Sequence, residues 1–510
     1  MNDFDVLIIG AGSAGSVLAN RLSAHPKVSV GLLEAGDWPD DPDIADPLKW
    51  PELPGRDYDW AHCTIPQPFT ANRVHQWPRG RIVGGSSCLH AMAHVRGHPK
   101  DFDHWQEVGG ERWSHKQLAS AFESSEILTG DHGKSGNEPG LDVYLPSDEI
   151  SPLVRAYMEA GQALGVPEIG SHNGTELIGT APNSLTIRAG KRVSLADAFL
   201  TKEVLARDNF RLLCNHRVET LLIENDRVVG ALVQSKTGPK QIFADRVILS
   251  TGAVASPLLL MRSGIGEAKM LESAGINCRL NLPEVGKNLQ DHLLVLGNVY
   301  ESRIPIPPSK LQHSESLMYL DSSDLAATNG VPDIVLACVV APSVAEGFEV
   351  PAYGQAFTLL CGVTHPTSRG SISLTGPALD DAPLIDPHYL ETEHDRNTIR
   401  RALKIARKVG NHSALDKWRQ SEILPGPEVQ TDEELDAFIA KTASTHHHPA
   451  GTCRMGRDEN AVVDPDLKVN GIDNLYVVDA SIIPCLPSGP INALVVAIAE
   501  NWTSSKASKP

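Results

Sequence analysis

At 510 residues the chain is too long for one compact core, and two or three domains are expected. Its composition, 41% hydrophobic, is that of a globular protein, and a net charge of −18 makes nucleic acid and anionic membranes poor partners. No stretch reaches the roughly 18 apolar residues of a membrane helix.

The run Val6-Leu7-Ile8-Ile9 predicts a buried strand, and it ends in the GxGxxG turn Gly10-Ala11-Gly12-Ser13-Ala14-Gly15. A helix follows, with Val17, Leu18 and Leu22 on one face, and a second strand, Val28 to Leu33, closes on Glu34. This is the grammar of a dinucleotide site. Gly10 allows the tight turn, Gly12 lets the backbone approach a pyrophosphate, and Gly15 lets helix and strand pack closely. The helix start at Ser13 and Ala14 offers unpaired N–H groups and partial positive charge to phosphates. Glu34 can accept hydrogen bonds from ribose hydroxyls, of FAD or of NAD. The strand begins next to Met1, which leaves no room for a signal peptide and points to the cytoplasm.

Residues 37–80 are rich in Pro, Asp and Trp and predict irregular excursions, and residues 80–97 are glycine-rich. Helices are predicted at about Trp113–Leu128 and Ile150–Leu164, with a loop over 129–150. Strands return at Phe210–Leu213, Val218–Ile223, Val228–Val233 and Arg246–Ser250. The last ends at Thr251-Gly252-Ala253, a junction expected beside the first glycine turn in the same sheet. Val331–Val340, Ala356–Val363 and Ser371–Thr375 read as longer strands without intervening helices, hence an antiparallel sheet. Helices follow at about Arg396–Val409 and Asp432–Thr442, then a strand Leu475–Val478 and a helix Asn492–Asn501. The expected fold is α/β: a Rossmann-like dinucleotide domain (1–150, 190–292 and 440–510) interleaved with an α+β substrate domain (151–189 and 293–439) that holds the antiparallel sheet. The eight cysteines include no CxxC pair, so neither a zinc site nor a disulfide framework is indicated.

His446-His447-His448-Pro449 is the densest imidazole cluster. Pro449 disfavours the α region at His448. If the triplet is extended, His446 and His448 share a face and His447 points away. Such a pair can act in acid–base chemistry, bind a metal or sit in a wet loop. No third ligand stands at a fitting spacing, so no metal is expected.

Four stretches resemble the glucose–methanol–choline (GMC) family of flavin oxidoreductases. They are the N-terminal fingerprint; Gly80 to His90, up to the family's Asn-or-His position; Gly252 to Gly266 with Val285 to His292; and the tail from His448-Pro449-Ala450-Gly451-Thr452 through Asp479-Ala480-Ser481 to Asn492. His94 departs from the aromatic residue usual in the family. The resemblance implies FAD, held along its pyrophosphate and flavin by Val83, Gly84, Ser87 and His90. It puts Val218 at the adenine, Asp479 and Ala480 at the pyrophosphate, and Asn492 and Ala493 at the flavin's pyrimidine edge. Leu89 occupies the position where some relatives attach FAD through histidine, so a non-covalent flavin is expected. His448 is implied as the base that takes the hydroxyl proton of an alcohol. The family's second His or Asn falls on Pro490, which can neither donate nor accept, and His446 is expected to replace it. Within the family this combination implies pyridoxine, oxidised at its 4-hydroxymethyl group to pyridoxal with O2 reduced to hydrogen peroxide. The rivals are another aryl, furan or choline-like alcohol, a quinone as acceptor, a FAD-containing lyase, and an NAD-dependent dehydrogenase. A monomer is compatible with the sequence.

Overall fold

Two sheets built from distant parts of the chain face each other across the site. The computed structural model describes residues 2–130, 135–136, 139–327 and 330–505. The first sheet has seven strands, in the order Phe210–Leu213, Val30–Leu33, Phe4–Ile9, Gly238–Leu249, Arg227–Ser235 and His216–Glu224, with Leu475–Val477 also paired to Gly238–Leu249. Phe4–Ile9 is flanked by parallel neighbours on both sides, Val6 opposite Val30 and opposite Arg246. Leu7 and Ile8 are fully buried, as expected of a parallel strand covered on both faces. Gly238–Leu249 serves three partners, Leu475–Val477 among them. Its first half pairs antiparallel with Arg227–Ser235, and its last residues run parallel to Phe4–Ile9.

That pairing brings the two glycine junctions together, as the sequence predicts. The Ser250 amide donates to the Ile9 carbonyl at 2.8 Å. Gly10 has φ +99°, and a Cβ there would stand 2.5 Å from the Ser250 carbonyl oxygen. Only glycine fits. The helix Ser13–Ser23 buries Val17, Leu18 and Leu22 behind the turn.

The second sheet has eight antiparallel strands. Its path is Arg419–Leu424, Val299–Ser302, Ala356–Val363, Ile334–Val339, Ser314–Leu320 and Gly179–Pro182, and Leu293–Val295 pairs with both Ala356–Val363 and Ala443–Thr445. The helix Glu393–Gly410 covers its back with Ile399, Ala402, Leu403 and Ala406, an i, i+3, i+4, i+7 face. Thr392 caps that helix by accepting from the Asp395 amide.

Several elements differ from the sequence reading: the helix expected to Leu128 ends at Ser125, where the strand Glu126–Thr129 begins, and Ser314–Leu320 and Arg419–Leu424 are strands it did not predict. Ser371–Thr375 is not part of the antiparallel sheet; Ser371–Ser373 pairs only with Leu384–Asp386. The loop predicted over 129–150 contains the strand Leu141–Tyr144, parallel to Glu126–Thr129, with Leu141, Asp142 and Val143 buried. Residues 131–134 and 137–138 of that loop lie outside the described residues. No helix among the described residues is long and apolar enough to cross a membrane.

Candidate active site

A cavity of about 950 Å³ runs from the glycine turns to the antiparallel sheet. Of the residues predicted to hold the dinucleotide, Gly10, Gly12, Ser13, Ala14, Glu34, His90, Val218, Asp479, Ala480 and Asn492 line it. Gly15, Val83, Gly84, Ser87 and Ala493 do not. Gly15 is needed behind the turn, where a Cβ would collide with the Gly10 carbonyl at 1.9 Å. Val83 is fully buried. The Gly84 amide donates to the Ala11 carbonyl at 2.8 Å, and Ser87 accepts from the Leu195 amide at 2.9 Å. These residues tie the glycine-rich loop to its neighbours, so Gly85 and Ser86 are the ones that face the cavity.

The nucleotide end suits a dinucleotide. The helices Ser13–Ser23 and Ile491–Thr503 both start at this cavity without a side-chain cap, at Gly12 and at Pro490. Their first amides are left for a ligand. Asn492 accepts from the Ser13 hydroxyl at 2.7 Å through Oδ1, while its Nδ2 has no partner. Glu34 accepts from the Ala11 and Gly36 amides at 3.0 and 2.9 Å, and burial pushes its carboxyl up to about 7. His90 Nδ1 accepts from the Met92 amide at 3.1 Å and faces an Arg192 N–H at 3.1 Å, so the ring hydrogen sits on Nε2. Asp479 spends both oxygens internally. It accepts from the Gly252 amide and Ser256 hydroxyl on one, and from the Ser481 amide and hydroxyl on the other. It therefore shapes the turn at Ala480 from beneath. His94 points elsewhere: its Nε2 lies 2.8 Å from Glu126, a buried carboxylate that also pairs with Arg96.

At the other end, the strand Ala443–Thr445 delivers the histidine triplet. The His446 amide donates to the His292 carbonyl at 2.8 Å, which continues the pairing with Leu293–Val295. The triplet then departs from the expected extended path. His447 is left-handed, with φ +65°. Such a residue costs on the order of 1–3 kcal/mol and persists only where its surroundings hold it. Here the His447 amide donates to Thr445 Oγ1 at 2.8 Å, Arg79 Nη2 donates to the His447 carbonyl at 3.0 Å, and the His448 amide donates to Asp291 Oδ1 at 2.7 Å. His446 and His448 still converge, with ring centroids 4.5 Å apart, by a kink instead of strand alternation. His447 also lines the cavity, against the expectation that it points away. Pro490 lines the same cavity.

The sequence reading missed three residues around His448. Asp291, fully enclosed, accepts from Thr445 Oγ1 at 2.5 Å and from the Tyr389 hydroxyl, besides the His448 amide. Tyr389 in turn accepts from Trp77 Nε1 at 3.0 Å. Burial raises Asp291 to about 6. The third is His292. Its Nδ1 lies 2.9 Å from His448 Nδ1, and its Nε2 lies 2.8 Å from the Thr364 carbonyl. A carbonyl only accepts, so His292 carries its hydrogen on Nε2. Neutral His292 then accepts at Nδ1, and His448 must donate from its own Nδ1. The free lone pair of His448 is thereby placed on Nε2. Burial lowers His292 to about 3 and His446 to about 4, and burial followed by the neighbouring imidazoles and Arg79 holds His448 well below the usual histidine range. All three are neutral at neutral pH, so His448 presents an acceptor to the cavity. The Asp291-His292 pair stands within a family-like stretch, but nothing in its spacing pointed to His448.

Uncapped helix starts around a dinucleotide groove and a neutral imidazole at its far end define an oxidoreductase site. The chain belongs to the GMC oxidoreductase family, whose N-terminal model matches residues 4–294 and whose C-terminal model matches residues 366–499. It is 50% identical to the pyridoxine 4-oxidase of Microbacterium luteolum, over 99% of both chains. It is 37% identical to an alcohol dehydrogenase [acceptor] of Pseudomonas putida, over 98% of this chain and 94% of that one. Among solved structures, the pyridoxine 4-oxidase from Mesorbium loti superposes with a TM-score of 0.97 at 50% identity, covering both chains in full. The formate oxidase of Aspergillus oryzae gives 0.89 at 26% identity, over 98% and 97% of the chains.

Proposed function

We propose that this protein is an FAD-dependent alcohol oxidase that converts pyridoxine to pyridoxal and reduces O2 to hydrogen peroxide. The observation that carries this reading is the His448–His292 contact, which leaves a bare imidazole nitrogen on His448 in a chain half identical, end to end, to pyridoxine 4-oxidases. FAD, when bound, supplies the hydride acceptor. Gly12, Ser13, Ala14, Gly85 and Ser86 would hold its pyrophosphate, Glu34 a ribose, Val218 the adenine and Asn492 the ring's polar edge. Leu89 offers no atom for a covalent link. We assign the nucleotide to 1–150, 190–292 and 440–510 and the substrate to 151–189 and 293–439, except that Ala443–Thr445 joins the substrate-side sheet.

The protein's own steps follow. Leu294, Val335, Ala337 and Leu360 wall the substrate end and exclude water. The substrate's 4-hydroxymethyl hydrogen is donated to His448 Nε2, which takes the proton as the carbon gives up its hydride. The imidazolium so formed keeps its Nδ1–H bond to His292. His446 lies beside the same oxygen and orients it, the task that Pro490 cannot perform. The proton on His448 is returned when peroxide forms.

The test is oxygen uptake by the FAD-loaded protein with pyridoxine, benzyl alcohol and hydroxymethylfurfural. Turnover of pyridoxine far above the others is the expected result; a clear preference for either of the others would exclude the substrate reading. His448→Ala should stay yellow and slow flavin reduction by about a hundredfold or more, the scale of a lost general base. A cytoplasmic location belongs to this reading and is supported by eight cysteines that are all unpaired. So does a monomeric enzyme.

A further inference from the structure

One row of the antiparallel sheet runs the length of the substrate-side wall of the cavity, beside the row Leu317, Ala337 and Leu360. Tyr319 stands opposite Val335, Val335 opposite Gly362, Gly362 opposite Leu294, and Leu294 opposite Ser444. Residues in one cross-strand row project to the same face, and all five line the cavity. With strands about 4.8 Å apart, the row spans roughly 19 Å from Tyr319 to Ser444. His446 and His448 lie just beyond Ser444. The Tyr319 phenol and the His446 and His448 imidazoles therefore bracket Val335 and Leu294 from the two ends of the row.

Tyr319 is held firmly. Its ring meets the edge of His172 at 5.0 Å and 74°, and His172 is itself fixed between the Leu177 and Leu317 carbonyls at 3.2 and 3.1 Å. Val95, Leu317, Val335 and Ala337 pack around it, and only 1% of the residue is exposed. Its hydroxyl makes no hydrogen bond to any described residue and is not among the fully enclosed polar atoms, so its tip is open to the cavity that Tyr319 lines, with Asp101 the charge that acts on it. Burial keeps the phenol protonated, hence able to donate.

This inference rests on the reading of pyridoxine as substrate. In pyridoxine the ring nitrogen is para to the reacting hydroxymethyl group. Turning the ring about that axis exchanges the flanking substituents and leaves the nitrogen where it was. With the reacting group at His448, the nitrogen is therefore the polar atom whose place at the far end is fixed. We propose that the Tyr319 hydroxyl donates a hydrogen bond to the ring nitrogen and is the contact by which the site prefers pyridine alcohols over benzyl alcohols.

Tyr319→Phe removes one oxygen and keeps the packing on His172. The FAD-loaded wild type and variant are compared on pyridoxine, 4-pyridinemethanol and benzyl alcohol. Loss of one substrate hydrogen bond should lower kcat/KM for both pyridine alcohols by about tenfold, mostly through KM, and leave benzyl alcohol within about twofold. The dissociation constant of unreactive 4-methylpyridine, read from the flavin absorbance, should rise by a similar factor while that of toluene holds. Equal losses on all three alcohols, or none on the pyridines, would overturn the proposal. A wild type that oxidises benzyl alcohol but neither pyridine alcohol would instead remove the substrate reading, and this contact with it.

Discussion

His292 and His448 meet nitrogen to nitrogen, Nδ1 to Nδ1 at 2.9 Å, with their rings perpendicular. Two neutral imidazoles can share that contact only if one is protonated at Nδ1 and the other at Nε2. The Thr364 carbonyl decides which, because it demands a donor from His292 Nε2. Replacing His292 by leucine removes the acceptor and frees His448 to adopt the other tautomer, with its lone pair turned away from substrate. His292→Leu should slow flavin reduction by about ten- to a hundredfold, within the range for general-base catalysis, with FAD content unchanged. His292→Asn, whose amide oxygen can still accept, should recover part of the rate. Stopped-flow reduction of both variants decides it: an undiminished rate in the leucine variant would show that the tautomer is set elsewhere.

The neutral state of His448 has a pH consequence. Its folded-state affinity for protons is depressed, first by burial and then by His446, His292, His447 and Arg79. A base must be unprotonated to act, so kcat/KM should be flat from neutral pH upward and fall only well below 6.5. The sign for stability is the same. The unfolded chain binds protons at these histidines near 6.5 while the folded one does not, so each contributes a loss of stability as pH drops below that value. His446→Ala removes the largest electrostatic contribution and some of the burial, so the acid limb should move up toward 6.5. A pH profile of the variant superimposable on that of the wild type would contradict this.

The parts of this arrangement that were legible in the sequence are those with a local signature. Val6 to Ile9 is an uninterrupted apolar run, and Gly10 and Gly15 stand where no side chain fits, whereas a Cβ at Gly12 would meet nothing nearer than Gly85 Cα at 3.8 Å. His448 is marked by its neighbours and by Pro449. The strands Gly179–Pro182, Leu293–Val295 and Ala443–Thr445 were not legible, because three or four residues are too few to establish a period. The kink at His447 was hidden for another reason: it is stabilised by Arg79 and Asp291, and the local preference of the triplet does not ask for it. His292 and His448 lie 156 positions apart, and only the pairing of Leu293–Val295 with Ala443–Thr445 brings them together. The shift from Gly84 and Ser87 to Gly85 and Ser86 as cavity residues turns on one-residue differences in a tight loop, which pattern cannot resolve.

Asp291 anchors the same loop through three donors, one of them the His448 amide. Asp291→Ala leaves all three unpaired in an enclosed place, at about 1–3 kcal/mol for each buried group left unsatisfied. The thermal midpoint should drop by several degrees, and His448 should lose its fixed position. Tyr389→Phe removes a single donor and should cost about 1–2 kcal/mol, with a smaller effect on flavin reduction. Calorimetry on the FAD-loaded variants ranks the two. A Tyr389→Phe variant less stable than Asp291→Ala would mean that the hydroxyl matters through Trp77 and not through the carboxyl.

Gly10→Ala tests the other end of the cavity. The added methyl would stand 2.5 Å from the Ser250 carbonyl oxygen, at a backbone angle of φ +99° that alanine disfavours. Neither obstacle can relax independently, because the Ser250 amide donates to the Ile9 carbonyl and its hydroxyl donates to the Val478 carbonyl, one residue before the Asp479 turn. The turn must open, and with it the spacing between the first amides of Ser13–Ser23 and the Thr251–Gly252 junction. The variant should therefore be purified with little or no FAD while its histidine loop, held by Asp291 and Arg79, stays intact. Far-ultraviolet circular dichroism close to that of the wild type, together with a colourless protein that is not restored by added FAD, is the expected outcome. A yellow Gly10→Ala enzyme with normal turnover would mean that the dinucleotide does not lie against this turn.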